Sequence, residues 1–457
     1  MTNQLKEVQT IRDDIKQRGL LQQSSLMEER LTYKKLEADS ILASEILPPK
    51  GFNKLPTSPK NALKNILLTG ATGFLGAFLI SELLQKTQAN IYCLVRAANS
   101  QEAEQKIYKN LQSYFLWNRD CFFRLIPVVG DLSQPLMGLS EAAFHKLGKT
   151  IDSIYHNGAL VNVTDSYSKL RDTNVIGTQE ILRFACSGQL KPVHYISSLA
   201  VFKSSYYRNQ RLISESEEKI KYGNFPDGYA QSKWVAENLV RTAIDRGIPI
   251  SIYRPGMLTG HSKTGVTKTD SLICRLLKSF IELRSAPILD LMMEMTPIDF
   301  VSSAIVNLSL QEKSIGKAFH LVNSQNLPLT KFVKEINSLG YPVREISYDR
   351  WQAQLIATIE KSQTIDPYCI SSHNVLKSLL PLLTDYYPDK PLTYFAKSST
   401  NPLVFDCQNT TSGLLGTSLS CPAINGKLLS TYFSYLTISG FLDVPPFDEF
   451  VIINDKW

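Results

Sequence analysis

The sequence predicts an α/β protein built on a doubly wound parallel sheet, with a helical leader before it and a smaller, mostly helical lobe after it. Three observations carry this prediction. Short apolar runs of strand length recur, amphipathic stretches of helix length separate them, and the first run breaks into three spaced glycines. Continuous Val, Ile and Leu runs belong to strands covered on both faces. Their alternation with helices is the pattern of a parallel sheet.

The runs are NILLTG at 65–70, IYCLV at 91–95, LIPVV at 125–129, IDSIYH at 151–156, VHYIS at 193–197, ISIYR at 250–254 and FHLVN at 319–323. Residues 1–60 are charged and helix-favouring until Pro48-Pro49 and the polar run KLPTSPKN end them as a linker. Beyond about 260 the rhythm weakens into helix-like stretches, SLICRLLKSFIELR, TKFVKEINSLG and WQAQLIATIEK, and then a tail rich in Tyr and Pro. The expected boundaries are therefore 1–60 for the leader and linker, 61–260 for the nucleotide-binding sheet domain with a returning strand near 319–323, and 261–457 for a lobe facing the substrate. The aromatic residues of the tail read first as lobe core and second as an acyl pocket. No repeat and no low-complexity segment interrupts this organisation.

Composition narrows the function classes. With 43% hydrophobic and 20% charged residues over 457 positions, the chain has the usage of a globular protein rather than a disordered or fibrous one. The excess of 49 Lys and Arg over 42 Asp and Glu gives +7 without a block of like charge, which suits a phosphate-bearing partner better than a nucleic acid. Seven cysteines stand singly with no C-x-x-C pair, as expected of reduced thiols in a cytoplasmic protein. The start lacks a signal-peptide pattern, and no 18 apolar residues follow one another, so no membrane span is expected. The six histidines have no partner at metal-ligand spacing; structural roles and no metal are the expectation.

The strongest local signal is NILLTGATGFLGAFLISELL, a strand running through Gly70, Gly73 and Gly76 into a helix. Gly70 allows the tight turn, Gly73 lets the backbone approach a pyrophosphate at the helix N-terminus, and Gly76 lets helix and strand pack closely. The turn Gly70, Thr72, Gly73, Phe74, Leu75 and Gly76 is the expected dinucleotide cradle of a Rossmann-type sheet, although its spacing is G-x-x-G-x-x-G rather than G-x-G-x-x-G. Arg96 ends the second strand where an acidic residue would hold the ribose of NAD, so NADPH is the expected cofactor; a solvated arginine is the competing reading. Lys106 reads as a surface lysine that could add positive charge. Asp131, followed by Leu132, is either an acceptor for the adenine amino group or a turn cap.

Tyr229 and Lys233 stand four apart in the helical stretch YAQSKWVAENLVRTAI and so share a helix face. There the ammonium would lower the phenol pKa and could also bond the ribose, so Tyr229 and Lys233 are expected at the cofactor too, and Tyr229 could give a proton to a carbonyl that receives hydride. A second match, Tyr386 to Lys390, is excluded because Pro388 breaks the helix between them. A hydroxyl on the other side of the carbonyl is expected from Ser198, at the end of VHYISS. Alternation along a strand keeps Ser197 and Ser198 from both facing one ligand.

These residues resemble the extended short-chain dehydrogenase/reductase superfamily. In order and wording, LVRA, GDL, IDSIYHNGALVN, RDTNVIGTQEIL, YISSLAVF, YAQSKWVAE, IYRPGMLTG and TPIDFVSSAIVNLS resemble thioester reductase domains across roughly residues 60–325. Those are the terminal reductases of nonribosomal peptide synthetases and their polyketide hybrids, related to carboxylic acid and aminoadipate reductases. The resemblance implies that Ser198, Tyr229 and Lys233 are catalytic, and that Asn157, Gly158 and Ala159 line the cofactor. It also implies that Asn174 orders the Tyr–Lys proton relay and that Pro255-Gly256 sits against the nicotinamide. Two features depart from the pattern: Gly158 replaces a common alanine, and a charged insert, RNQRLISESEEKIKYGN, lengthens the interval from Ser198 to Tyr229.

The implied function is NADPH-dependent reductive release of an acyl or peptidyl thioester from the phosphopantetheine arm of a carrier protein, as an aldehyde or onward to a primary alcohol. A fatty acyl-CoA reductase and a non-catalytic NADPH-sensing protein of the same fold are the alternatives.

Overall fold

A computed structural model describes residues 32–49, 63–210, 212–217, 220–362, 376–377, 379 and 403–446. Residues 1–31 of the leader, the whole 50–62 stretch and the Tyr386 to Lys390 pair lie outside the described residues.

Each of the seven apolar runs forms a strand: β1 (Asn65–Thr69), β2 (Asn90–Val95), β3 (Leu125–Val129), β4 (Ser153–His156), β5 (Val193–Ile196), β6 (Ile250–Pro255) and β7 (Ala318–Leu321). They make one parallel sheet in the order β7-β6-β5-β4-β1-β2-β3. The strand order reverses between β1 and β4, in register from Ile66 opposite Ser153 to Thr69 opposite His156. A crevice for a ligand opens there, at the carboxyl ends of the strands.

Successive residues of a strand point to opposite faces, and the sheet accordingly separates two cores. Leu67, Leu94 and Ile154 join one, while Ile66, Leu68, Ile91, Cys93 and Tyr155 join the other. Helix α1 (Phe74–Lys86) is nearly all apolar, with Ala77, Phe78, Leu79, Ile80 and Leu83 buried, because it is covered by the sheet on one side and by helices on the other.

Helix α2 (Ser100–Ser113) connects β2 to β3, and α3 (Glu141–Thr150) precedes β4. Between β4 and β5 run α4 (Tyr167–Arg171), a π-helical turn (Asp172–Ile176) and α5 (Gly177–Ala185). Helix α6 (Gly228–Asp245) leads into β6, its N-terminus capped by the Asp227 carboxylate, which accepts from Ala230 N at 2.7 Å. Helices α5 and α6 cover the first core, burying Ile181, Leu182, Val235 and Leu239 in it.

The region after 260 divides between the two bodies. Helices α7 (Leu272–Glu282), α9 (Leu329–Ser338), α10 (Tyr348–Ser362) and α12 (Gly426–Ile438) gather around Leu277, Phe280, Phe332, Trp351, Leu429 and Phe433 as a separate apolar core. Helix α8 (Ile298–Ser309), however, buries Ile298, Val301, Ile305 and Leu308 in the sheet body. The boundary expected at 261 did not anticipate this, because the apolar face of a helix does not reveal which layer it joins. The lobe core holds a cavity of about 20 Å³ lined by Thr259, Cys274, Phe332 and Tyr432, room for about one water. Tyr432 donates to Gly260 O at 2.9 Å, so this tail aromatic is structural core tied to the segment after β6.

The charged insert is fastened at the β7 edge. Leu212 and Ile213 pair with Val404 and Phe405. Glu215, 2% exposed, accepts from His320 N at 2.7 Å and from Thr410 Oγ1 at 2.6 Å at the start of α11 (Gln408–Leu414). Burial pushes its carboxyl above the usual range, and these donors oppose that.

Candidate active site

The glycine turn leaves β1 with Gly70 at φ +71°, a backbone state that a side chain disfavours. A Cβ at Gly76 would lie 2.0 Å from Gly70 O, so α1 approaches β1 more closely than any side chain permits. Thr72 and Gly73 are exposed at the N-terminus of α1, while Leu75 and Gly76 are buried and Phe74 is half-buried. Asn110 on α2 donates from Nδ2 to Ala71 O and Gly73 O, both at 3.1 Å, and steadies the turn. Sequence reasoning missed Asn110, which carries no signal beyond its place on an amphipathic helix.

Around the turn, Gly158 N donates to Thr69 Oγ1 at 2.8 Å and Asn157 Nδ2 to Gly70 O at 3.2 Å, joining the ends of β1 and β4. Ala159 is half-buried beside them. The missing alanine at 158 has a physical counterpart: a Cβ there would meet Leu132 Cδ1 at 2.6 Å. Leu132 fills that space. Asp131 uses Oδ1 to accept from Ser133 N at 2.9 Å and Ser133 Oγ at 2.8 Å, so it does cap a turn. Its Oδ2 has no hydrogen bond among the described residues.

Arg96 is exposed at the end of β2. Lys106 Nζ donates to Arg96 O at 2.8 Å and pairs with Glu102 at 2.7 Å, which brings a second cation to the same strand end.

The second group of residues meets where β5, α6 and β6 end. Lys233, 4% exposed, donates from Nζ to Ile196 O at 2.9 Å and lies 4.6 Å from the Tyr195 ring centroid. This bond pins α6 to β5 two residues before Ser198. Burial pulls the Lys233 ammonium down to about 8, and Glu237 opposes the shift. Ser197 is buried and donates to Glu237 Oε2 at 2.5 Å, whereas Ser198 is half-exposed and caps the next turn by accepting from Ala200 N at 3.1 Å. Tyr229 is half-exposed in the first turn of α6.

Beneath these residues lies a buried ionic network that the sequence did not announce. Glu237, one turn beyond Lys233, accepts from Arg254 Nη2 at 2.6 Å and Arg241 Nη2 at 3.1 Å. Burial works against this carboxylate, but Arg254 and Arg241 prevail and hold it at about 2. Arg254 Nη1 also donates to His320 Nε2 at 2.9 Å, which assigns the other ring proton to Nδ1, 2.8 Å from Asp406 O. Burial lowers His320 to about 3, as it does His156 and His194. Among the described residues no group of His, Cys, Asp and Glu could hold a metal ion.

Pro255 closes β6, and Gly256 N donates to Leu321 O at 2.9 Å. A Cβ at Gly256 would sit 1.8 Å from Glu294 Oε1, and the same oxygen accepts from Met257 N at 3.0 Å. Burial raises the Glu294 carboxyl, opposed by the Met257 bond and by Lys203. Asn174 is buried in the π-helical turn. It accepts from Leu160 N at 2.8 Å and donates to Leu160 O at 3.0 Å and Ser232 Oγ at 2.9 Å.

A Rossmann-type sheet with a glycine turn and a Ser, Tyr and Lys set at its carboxyl edge defines a nicotinamide-dependent reductase class. Residues 68–305, just over half of the chain, match the NAD-binding family described as Male sterility protein, and the chain belongs to that family. Solved structures similar to the chain include reductase domains of nonribosomal peptide synthetases. The solved terminal R domain from the myxalamid PKS-NRPS biosynthetic pathway is 42% identical, with a TM-score of 0.78, over 91% of this chain and 100% of that one. A linear gramicidin synthase protein of Brevibacillus parabrevis is 36% identical over 92% of this chain and 8% of its own length. An aldehyde reductase of Aspergillus flavus, lnbA, is 38% identical over 62% of this chain and 29% of its own length. The chain thus spans a small part of these two curated relatives. No helix among the described residues is long and apolar enough to cross a membrane.

Proposed function

We propose that this chain reduces an acyl or peptidyl thioester, presented on the phosphopantetheine arm of a carrier protein, and releases it as an aldehyde, with NADPH as the reductant. The observation that carries this reading is the bond from Lys233 to Ile196 O, which ties the helix bearing Tyr229 to the strand that leads into Ser198. The likeness to a terminal R domain along its whole length supports the thioester over other carbonyl substrates.

The cradle fits the cofactor. Thr72 and Gly73 present backbone to solvent at a helix N-terminus, which favours an anion, and Arg96 with Lys106 forms a cationic strand end suited to a 2′-phosphate. The nicotinamide would lie toward Pro255-Gly256, where the Glu294 carboxylate packs against the Gly256 backbone in the place a side chain would take. When bound, it supplies hydride to the thioester carbonyl carbon.

Ser198 Oγ and Tyr229 Oη donate to the carbonyl oxygen as negative charge grows there, and Tyr229 passes its proton to that oxygen. The Lys233 ammonium stabilises the resulting phenolate. The thiohemiacetal then returns its hydroxyl proton to Tyr229 while the C–S bond breaks. Its electron pair leaves with sulfur, and the sulfur takes a proton from water. A second round on the aldehyde would give a primary alcohol with the same residues.

The charge on Lys233 sets a pH limit. As pH rises through about 8 the ammonium loses its proton and its hold on the phenol, so kcat/KM, which reports the free enzyme, falls above about pH 8. A profile flat to pH 10 would contradict this assignment. Cofactor choice is tested by Arg96→Glu, expected to raise the NADPH KM far more than the NADH KM; equal changes would show that Arg96 does not read the phosphate.

The substrate class is tested by absorbance at the reduced-nicotinamide band with the same acyl group on a carrier protein, on pantetheine and on coenzyme A. Faster turnover on the carrier supports the reading. Equal activity on acyl-CoA would favour a fatty acyl-CoA reductase, and binding of NADPH without turnover on any carbonyl would favour a sensor.

A further inference from the structure

We infer that Asp39 is a positioning residue for this active site, acting through the short helix that leads to Asn174. The inference rests on the reductase reading above and concerns a segment outside the nucleotide-binding sheet.

Residues 32–39 form a helix, and the chain then crosses the helical layer over the first core. Leu36, Leu42 and Ile46 are at most 2% exposed and share that core with Tyr167, Val175 and Ala230. The polar ties are more selective than the apolar ones. Asp39 Oδ1 accepts from Arg171 Nη2 at 2.7 Å, and Oδ2 accepts from Arg171 Nε at 2.8 Å and from Tyr167 Oη at 2.7 Å. Both partners lie on α4, at its first and last residues. A planar guanidinium gripped at two nitrogens is fixed in direction as well as distance. Arg171 holds the Asp39 carboxyl below its usual range, with burial opposing.

Helix α4 is the first turn of a continuous helical run that passes through the π-helical turn into α5, and the Asp39 clamp grips that first turn. It is set against the catalytic helix: a Cβ at Gly228, beside Tyr229, would lie 2.3 Å from Tyr167 N. At its other end α4 runs directly into the π-helical turn Asp172–Ile176, a rare form that is frequent at functional sites. Asn174 sits in that turn. Its amide joins Leu160, next to the cofactor-lining residues Asn157 to Ala159, to Ser232, next to Lys233. The Asp39 clamp therefore fixes the element that fastens the cofactor loop to the catalytic helix.

The same segment supplies an internal control. Glu45 pairs with Arg183 on α5 at 3.0 Å and touches neither α4 nor Asn174. Glu45→Ala loosens the segment without releasing the clamp.

The test is amide hydrogen exchange over residues 167–176 in the full chain, together with steady-state kinetics, for Asp39→Ala, Glu45→Ala, Asn174→Ala and the Asp39→Ala/Asn174→Ala double variant. Asp39→Ala should speed exchange across 167–176 and lower kcat by about tenfold to a hundredfold, the scale of a displaced catalytic group, with a smaller change in KM. Glu45→Ala should do neither. The double variant should be no slower than Asn174→Ala, because both changes act through one element. Unchanged exchange at 167–176, a kcat equal to that of Glu45→Ala, or fully multiplicative losses would overturn the proposal. Should Asp39→Ala fail to fold, Asp39→Asn keeps an acceptor for Tyr167, removes the charge opposite Arg171 and gives the same readings. Exchange needs no substrate, so a chain that reduces no thioester would defeat the reductase reading while the clamp is still judged.

Discussion

Tyr229→Phe should lower kcat by about a thousandfold, the middle of the range for a general acid, while leaving NADPH affinity close to that of the wild type. The variant removes one oxygen from a half-exposed residue in the first turn of α6, and the helix keeps its Asp227 cap and its Lys233 bond to β5. Folding should therefore be preserved. NADPH fluorescence titration beside a turnover assay separates the two effects. Unchanged turnover would strip Tyr229 of its role and reopen the sensor alternative.

Glu237→Gln should have the largest effect on stability. The substitution keeps shape but leaves Arg254, 0% exposed, and Arg241, 16% exposed, without their shared counter-charge. Breaking one side of a buried ion pair costs about 3–5 kcal/mol. Urea unfolding followed by circular dichroism measures it. The same variant reaches the chemistry, because Glu237 is the group that opposes the downward shift of Lys233. Its loss should move the alkaline limb of the kcat/KM profile to lower pH. A variant as stable as the wild type, with an unmoved profile, would show that the network supports neither the fold nor the lysine.

The sheet was legible because each strand advertises itself: a strand buried on both faces is mostly apolar, and all seven runs became neighbours in one sheet. The glycine turn was legible for a similar reason. Gly76 sits where a Cβ would lie 2.0 Å from a carbonyl oxygen, and only glycine answers that constraint. Helix α8 was not placed in advance, since an apolar helix face announces burial without naming the neighbour.

The polar supports were the least visible. Glu237, Arg254 and His320 lie far apart in sequence and become partners only when β6 and β7 pair beside α6. Asp39 and Glu294 are further cases, each an ordinary acidic residue until the fold brings Arg171 or Gly256 against it. Ser198 shows the intermediate situation. Strand alternation separates it from Ser197, but the reason Ser197 turns inward, its bond to Glu237, belongs to the structure.

The central claim is that hydride is delivered to the carbonyl of a carrier-bound thioester. The most direct measurement uses NADPH carrying deuterium on the transferred position of the nicotinamide, an acyl group on a phosphopantetheinylated carrier protein, and trapping of the organic product for mass spectrometry. The account predicts an aldehyde or alcohol with deuterium on the former carbonyl carbon and a carrier left with a free thiol. A thioester returned intact while free aldehydes or sugar nucleotides take up deuterium would contradict it.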